Sequence, residues 1–334
     1  MLRAVSMGLG WWSDELAGAI QGQSEAIQVV SCYTRSADKR AAFAEKFGTG
    51  QHESYEAVLA DPDVDAVILT TPHSLHAEHV TMAAEAGKHV FVEKPFTLTA
   101  ESGVAAAAAC ARAGVVLAIG QNRRFSAAAQ ALRGMLDGGE FGTLLHLEAN
   151  FSAPGALKYT PDKWRSNRIE SPGGALAGLA VHMIDLLCWL GGRALSVSAQ
   201  TKRRAVPVDI DDTTSAILEF ESGATGYLGS IFACPYTSIL NVYGTMANAF
   251  ALVDGNELKV QLPGEAPEAR PLDPVDTLKA ELEEFAEACR GGPEFRVLPA
   301  EAIHNVAVME AIVASAGHHS AQVEIPAAPA DAAA

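Results

Sequence analysis

The chain has three places where residue type and spacing suit chemistry. The first is Gly8-Leu9-Gly10-Trp11-Trp12-Ser13, which follows an apolar run and precedes a helical pattern. There the first glycine permits a tight turn, and the second lets the backbone approach a diphosphate at a helix N-terminus, where unpaired N–H groups and the helix dipole favour an anion. Ser13 stands where a third glycine is usual; it is small enough for helix–strand packing and is also a candidate cap, with Asp14 and Glu15 favoured in the first turn. The second place lies about 20 residues further on, at the end of the next apolar run, where a carboxylate would bind a ribose 2′-hydroxyl and repel a phosphate. The chain reads Tyr33-Thr34-Arg35-Ser36 there. Arg35 suits a 2′-phosphate, with Thr34 and Ser36 as hydroxyl donors, so NADP is predicted over NAD; Asp38 counts mildly against it. Ser36 equally suits the N-cap of the next helix.

The third place is split between two segments. Glu93-Lys94-Pro95 falls just past an apolar run, at the end of a strand where open α/β sheets bind ligands. His182 and Asp185 are three apart on an apolar helical stretch and share a face. On the residues alone, Glu93 and Lys94 also suit a surface ion pair, and His182 a hydrogen-bonded core histidine. Trp11 and Trp12 suit either a wall of the nicotinamide pocket or packing between domains. His73, His76 and His79 crowd one region without a further converging ligand, so no metal is expected. The five cysteines, Cys32, Cys110, Cys188, Cys234 and Cys289, lie far apart, which predicts neither a disulfide framework nor a zinc site.

These residues need elements to hold them. Apolar runs at 2–7, 27–33, 64–69, 89–92 and 115–119 alternate with helical patterns at 14–21, 37–47, 76–86 and 100–112, the grammar of a parallel α/β sheet. After Gln121 it changes: a helix at 127–137, a strand at 144–151, a long irregular stretch at 152–172 and an apolar helix at 175–190. Strand patterns follow at 195–201, 213–220, 225–231, 239–243 and 249–253, then helices at 277–290 and 299–316. The prediction is an α/β protein with a dinucleotide-binding Rossmann domain over 1–122. A second α/β domain with an open, largely antiparallel sheet is expected over 123–326, and a disordered tail over 327–334. A length of 334 residues leaves both domains room for a core. The formal charge of −16, from 24 basic and 40 acidic residues, opposes binding to nucleic acid or anionic membranes. Neither a signal peptide nor an 18-residue apolar run is legible, so a cytoplasmic protein is expected.

Val90-Phe91-Val92-Glu93-Lys94-Pro95 resembles the Gfo/Idh/MocA family of oxidoreductases. Further similar pieces are Thr70-Thr71-Pro72 with His76, Asn122-Arg123-Arg124-Phe125, Trp164-Arg165, and Gly173-Gly174 leading to His182-Met183-Ile184-Asp185, so the resemblance spans about residues 1–326. It implies NAD(P)-linked oxidation or reduction at a carbinol of a sugar, cyclitol or related compound. Lys94 and His182 are implied as catalytic, and Thr71, Pro72, His76, Glu93 and Lys94 join the glycine loop in holding the cofactor. Arg124, Trp164, Arg165 and Asp185 are implied at the substrate, with Asn167 a further candidate, and the Lys94–Pro95 bond is implied to be cis. A second domain whose sheet serves oligomer contacts implies a homodimer or homotetramer. The chain departs from the family at Gly178, where an Asp commonly stands four residues before the histidine. Two other readings remain: a glycoside hydrolase using transient oxidation by a tightly held NAD, and a nucleotide-sensing protein without turnover.

Overall fold

The computed structural model describes residues 1–255 and 257–327, so all but the first residue of the expected disordered tail lies outside the described residues. Packing divides the chain into two compact units, Met1–Asn122 with Asp276–Ile303, and Arg123–Val275 with His304–Ala327.

The first unit is built on strands β1 (Leu2–Met7), β2 (Ile27–Tyr33), β3 (Gly50–Gln51), β4 (Ala66–Leu69), β5 (His89–Glu93) and β6 (Leu117–Gly120). Helices α1 (Trp11–Ile20), α2 (Ala37–Phe47), α3 (Tyr55–Ala60), α4 (His76–Glu85) and α5 (Ala100–Ala113) alternate with them. All strand pairs are parallel, in the order β3-β2-β1-β4-β5-β6. Strands covered on both faces need near-continuous apolar runs, which is why all four residues of β4 are buried. The order reverses between β1 and β4, and the crevice beyond their C-terminal ends is where such sheets take a dinucleotide.

Sequence and structure differ in one domain assignment: the segment Asp276–Ile303 belongs with the first unit rather than with the second. Its helix, Thr277–Cys289, is amphipathic and buries Leu282, Phe285 and Ala286. The Phe285 ring lies 5.8 Å from Phe91, and Ser24 donates to Glu283 Oε1 at 2.7 Å. Reading a domain as one continuous stretch misses a helix that returns to cover an earlier sheet.

The second unit contains α6 (Ala127–Asp137), β7 (Leu144–Ser152) and α7 (Val181–Gly191), then β8 (Ala194–Lys202), β9 (Thr213–Phe220), β10 (Thr225–Ile231), β11 (Thr237–Gly244), β12 (Asn248–Leu252), β13 (Glu257–Gln261), β14 (Glu268–Arg270) and β15 (Val323–Glu324). Its nine strands run β14-β13-β12-β11-β7-β10-β9-β8-β15. The sheet is mixed: β7 and β10 pair in parallel, and the other neighbours are antiparallel. One face is apolar and buried through Leu147, Ala149, Leu218, Leu228, Leu240 and Val242. Across the other runs a row in register, Ile217, Tyr227, Glu148, Asn241 and Phe250, of which Ile217 is 62% exposed. In place of one uniform helix over 175–190, a π-helical turn at Leu176–Ala180 precedes α7. Among the described residues no helix is long and apolar enough to cross a membrane.

Candidate active site

In the first unit the glycine loop lies at the switch point. Gly8 has φ +87°, and a Cβ there would stand 2.7 Å from the backbone of Thr70 and Thr71. Only glycine allows the chain leaving β1 to lie against the chain leaving β4. Gly10 caps α1, which begins at Trp11, three residues before the sequence reading placed it. Ser13 therefore sits in the first turn rather than at the cap; its hydroxyl accepts from Gly10 N at 2.9 Å and donates to Gly10 O at 2.7 Å. A Cβ on Gly10 would meet nothing within 4 Å, so open space lies over the helix N-terminus. This arrangement fits a dinucleotide diphosphate. Trp11 is 72% exposed and stands 5.3 Å, ring to ring, from Trp12.

At the end of β2 the Arg35 side chain is exposed, and Ser36 caps α2 by accepting from Lys39 N at 3.4 Å. Arg40 reads on the sequence alone as one more solvated surface charge of this helix. It is buried, and its Nη1 donates to the carbonyls of Thr34 at 2.7 Å and Arg35 at 3.3 Å. The available signal was spacing, because Arg40 and Phe43 are the buried pair of α2, three residues apart.

The Lys94 turn follows β5, with a cis Lys94–Pro95 peptide bond. Thr71 and Pro72 follow β4 on the same edge of the sheet, with Thr71 mostly buried. His76, expected at the cofactor, is fully buried: Nδ1 lies 2.9 Å from Pro95 O and Nε2 3.0 Å from Thr71 O. Both ring nitrogens lie against backbone carbonyls, of which a neutral imidazole can donate to only one, and His76 thereby packs between the two loops. Burial holds its pKa below the usual histidine value, against the pull of those carbonyls.

In the second unit, His182 is buried in the first turn of α7, its ring 6.0 Å from Phe151. At Gly178, one turn earlier, a Cβ would stand 2.8 Å from the ring of Phe232, so an aromatic ring fills the place where a longer side chain would project. Phe232 is also 5.7 Å, ring to ring, from Tyr159.

Arg124 and Asp185, both expected at the substrate, face one another in the interior of the second unit. Each side chain is 1% exposed, and they pair through Nε–Oδ2 at 2.7 Å and Nη2–Oδ1 at 2.8 Å. Asn305 donates to Asp185 Oδ1 at 2.7 Å. Asp185 is thereby committed to Arg124 and Asn305 rather than to orienting the His182 ring. Asn305 was invisible in sequence because it lies 120 residues from its partner. Trp164 and Arg165 stand on the long loop, the Arg165 guanidinium 4.3 Å from the Trp164 ring. Asn167 shapes that loop, its Oδ1 accepting from Ile169 N and Glu170 N, both at 3.0 Å. Among the described residues no three His, Cys, Asp or Glu side chains group as metal ligands.

A glycine loop at the switch point of a parallel sheet, with a lysine past a neighbouring strand end, is the architecture of a nicotinamide-dependent oxidoreductase. The chain belongs to the Gfo/Idh/MocA family: residues 2–121 match its oxidoreductase domain with NAD-binding Rossmann fold, and residues 129–249 match its C-terminal domain. It is an NAD(P)-dependent oxidoreductase acting on CH–OH groups. The 1,5-anhydro-D-fructose reductase of Ensifer adhaerens is 29% identical, over 89% of this chain and 91% of the relative. D-Xylose 1-dehydrogenase (NADP(+)) 2 of Haloferax volcanii is 30% identical, over 88% and 91%. A solved structure of a putative NADPH-dependent oxidoreductase from Desulfitobacterium hafniense superposes with a TM-score of 0.90 at 32% identity, covering 97% of both chains.

The buried ion pair yields a stability test. Removing one partner strands the other charge, so Asp185→Ala or Arg124→Met alone should cost about 3–5 kcal/mol in chemical denaturation. The double replacement Arg124→Met with Asp185→Leu should cost less than the sum of the single ones. Strictly additive losses would show that the two side chains do not act as a pair.

Proposed function

We propose that the protein is a cytoplasmic oxidoreductase that prefers NADP to NAD and acts on a sugar, cyclitol or related cyclic alcohol or carbonyl compound. The observation that carries the cofactor reading is the corner after β2: no carboxylate stands at Thr34-Arg35-Ser36, Arg35 is exposed, and Arg40 braces the backbone beneath it. Gly8, Gly10 and the first turn of α1 would hold the diphosphate, and Thr71, Pro72, Glu93 and Lys94 line the same sheet edge. The substrate class is supported by relatives that act on anhydrofructose and xylose. A screen of sugars, inositols and aromatic dihydrodiols with both cofactors, read by nicotinamide absorbance, identifies the substrate.

The nicotinamide, when bound, takes or supplies the hydride. His182 is the general acid/base that removes or returns the proton of the substrate oxygen, since imidazole titrates near neutral pH. Lys94 is the cationic donor that stabilises negative charge developing on that oxygen. The outward row of the second unit's sheet, with Ile217 and Tyr227 exposed, supports association with a second copy of the chain.

Three measurements test these assignments. Arg35→Ala should lose about 1.5–3 kcal/mol of NADP affinity and little of NAD affinity in calorimetric titration. An unchanged affinity ratio would remove Arg35 from the site. With the substrate found by the screen, His182→Ala should lower kcat by roughly 10²–10⁴-fold with cofactor affinity near wild type; retained turnover, or cofactor binding lost in step with activity, contradicts the role. Light scattering should give a mass above the 35.0 kDa of one chain, and a stable monomer would end the oligomer reading.

A further inference from the structure

The first turn of α1 reaches the Lys94 turn directly. Trp12 Nε1 donates to Glu93 Oε1 at 2.5 Å, bridging residues 81 apart in sequence. Glu93 is 6% exposed, and its Oε2 accepts from the backbone N–H of Lys94 at 3.2 Å. On the neighbouring strand Gly120 pairs with Glu93. A Cβ at position 120 would stand 2.8 Å from Glu93 Oε1 and 3.2 Å from its Cδ, so the carboxylate fills the space that any larger residue there would need. An indole N–H is a donor only, and a buried carboxylate needs donors, because leaving one unsatisfied costs more than a typical hydrogen bond contributes.

We propose that Trp12 is a positioning residue: through the Glu93 carboxylate it sets the direction of the Lys94 turn, so that the helix following the dinucleotide loop and the catalytic lysine move as one piece. Trp12 thereby takes a part that neither a pocket wall nor packing between domains describes. Its significance for turnover rests on Lys94 acting as assigned above, and the test is chosen to need neither substrate nor cofactor.

The test reads the acetylation rate of the Lys94 amine by mass spectrometry across a pH series in the intact protein, with exposed Lys39 as internal reference. Trp12→Phe and Glu93→Ala should each release the turn and speed Lys94 labelling by about threefold to tenfold, the size expected for one hydrogen bond of ordinary net strength. The double variant should go no further than the larger single effect. Gly120→Ala removes no hydrogen-bonding group but occupies the carboxylate's place, and should act like Trp12→Phe. Glu93→Gln keeps one acceptor oxygen for the indole proton but sets an amide NH2 against the Lys94 N–H, so it should fall between wild type and Glu93→Ala, a partial rescue that a merely structural loss would not show. Lys39 should label alike throughout. Lys94 labelling in Trp12→Phe within about twofold of wild type, or single effects that multiply in the double variant, would overturn the proposal. Should Trp12→Phe not fold, Gly120→Ala still decides it: Lys94 labelling within about twofold of wild type in that variant overturns it. The catalytic reading fails separately, through a Lys94→Ala variant that keeps its turnover while the labelling pattern stands.

Discussion

The close approach of two backbones at the switch point governs the first unit. With the position of a Gly8 Cβ only 2.7 Å from Thr70 and Thr71, any larger residue would push apart the chains leaving β1 and β4. Thr70 Oγ1 fastens the contact, donating to the carbonyls of Met7 at 2.8 Å and Gly8 at 2.9 Å. Because that contact holds, α1 begins at Trp11 with its N-terminus open, and Trp12 comes within reach of Glu93. His76 then carries the constraint on, its ring set between the carbonyl of Thr71 and that of Pro95. The loop that would hold the diphosphate and the turn that carries Lys94 are thus linked by side chains, not merely adjacent in a sheet.

The second unit relies on a different device. Taking Arg124 and Asp185 out of water costs several kcal/mol per ion, and their attraction offsets this only with good geometry and further hydrogen bonds. The two contacts of the guanidinium and the amide of Asn305 supply that geometry. A shift of α7 by one residue would carry Asp185 round the helix, away from Arg124, and leave both charges buried and unpaired. The register of α7 in which the pair forms is also the one that sets the place of His182, three residues before Asp185 on the same helix.

What was legible in the sequence follows from how local each signal is. The apolar runs of β1, β2 and β4 were readable because a strand buried on both faces must be apolar along its length. The glycine loop was readable because turn and helix start are neighbours in sequence. The family resemblance marked Arg124, Asp185 and His76 as candidates for chemistry, but burial decides whether such groups face a ligand or one another. Their partners lie 61 residues away for Arg124 and Asp185, and 19 away for His76 and Pro95. The return of the helix Thr277–Cys289 to the first unit and the parallel pairing of β7 with β10 were hidden for the same reason. Gly178 was noticed as a missing carboxylate, but only packing shows Phe232 in the space beside it.

Charge at the end of β2 illustrates how a local arrangement prevails over a global one. The chain carries a formal −16, which taken alone would repel a dinucleotide phosphate. At physiological ionic strength, however, exposed charges separated by more than about 8 Å are largely screened, so distant carboxylates contribute little at any one corner. Asp38, in the first turn of α2, is exposed and weakened by water in the same way. Arg40 is buried, where screening is least, and its guanidinium donates to the carbonyls of Thr34 and Arg35. It thus places a positive charge beneath the corner and fixes the backbone from which Arg35 projects. The two arginines differ in kind, Arg40 buried and fixing the backbone and Arg35 exposed at the corner, so a strongly acidic chain still carries positive charge at the end of β2.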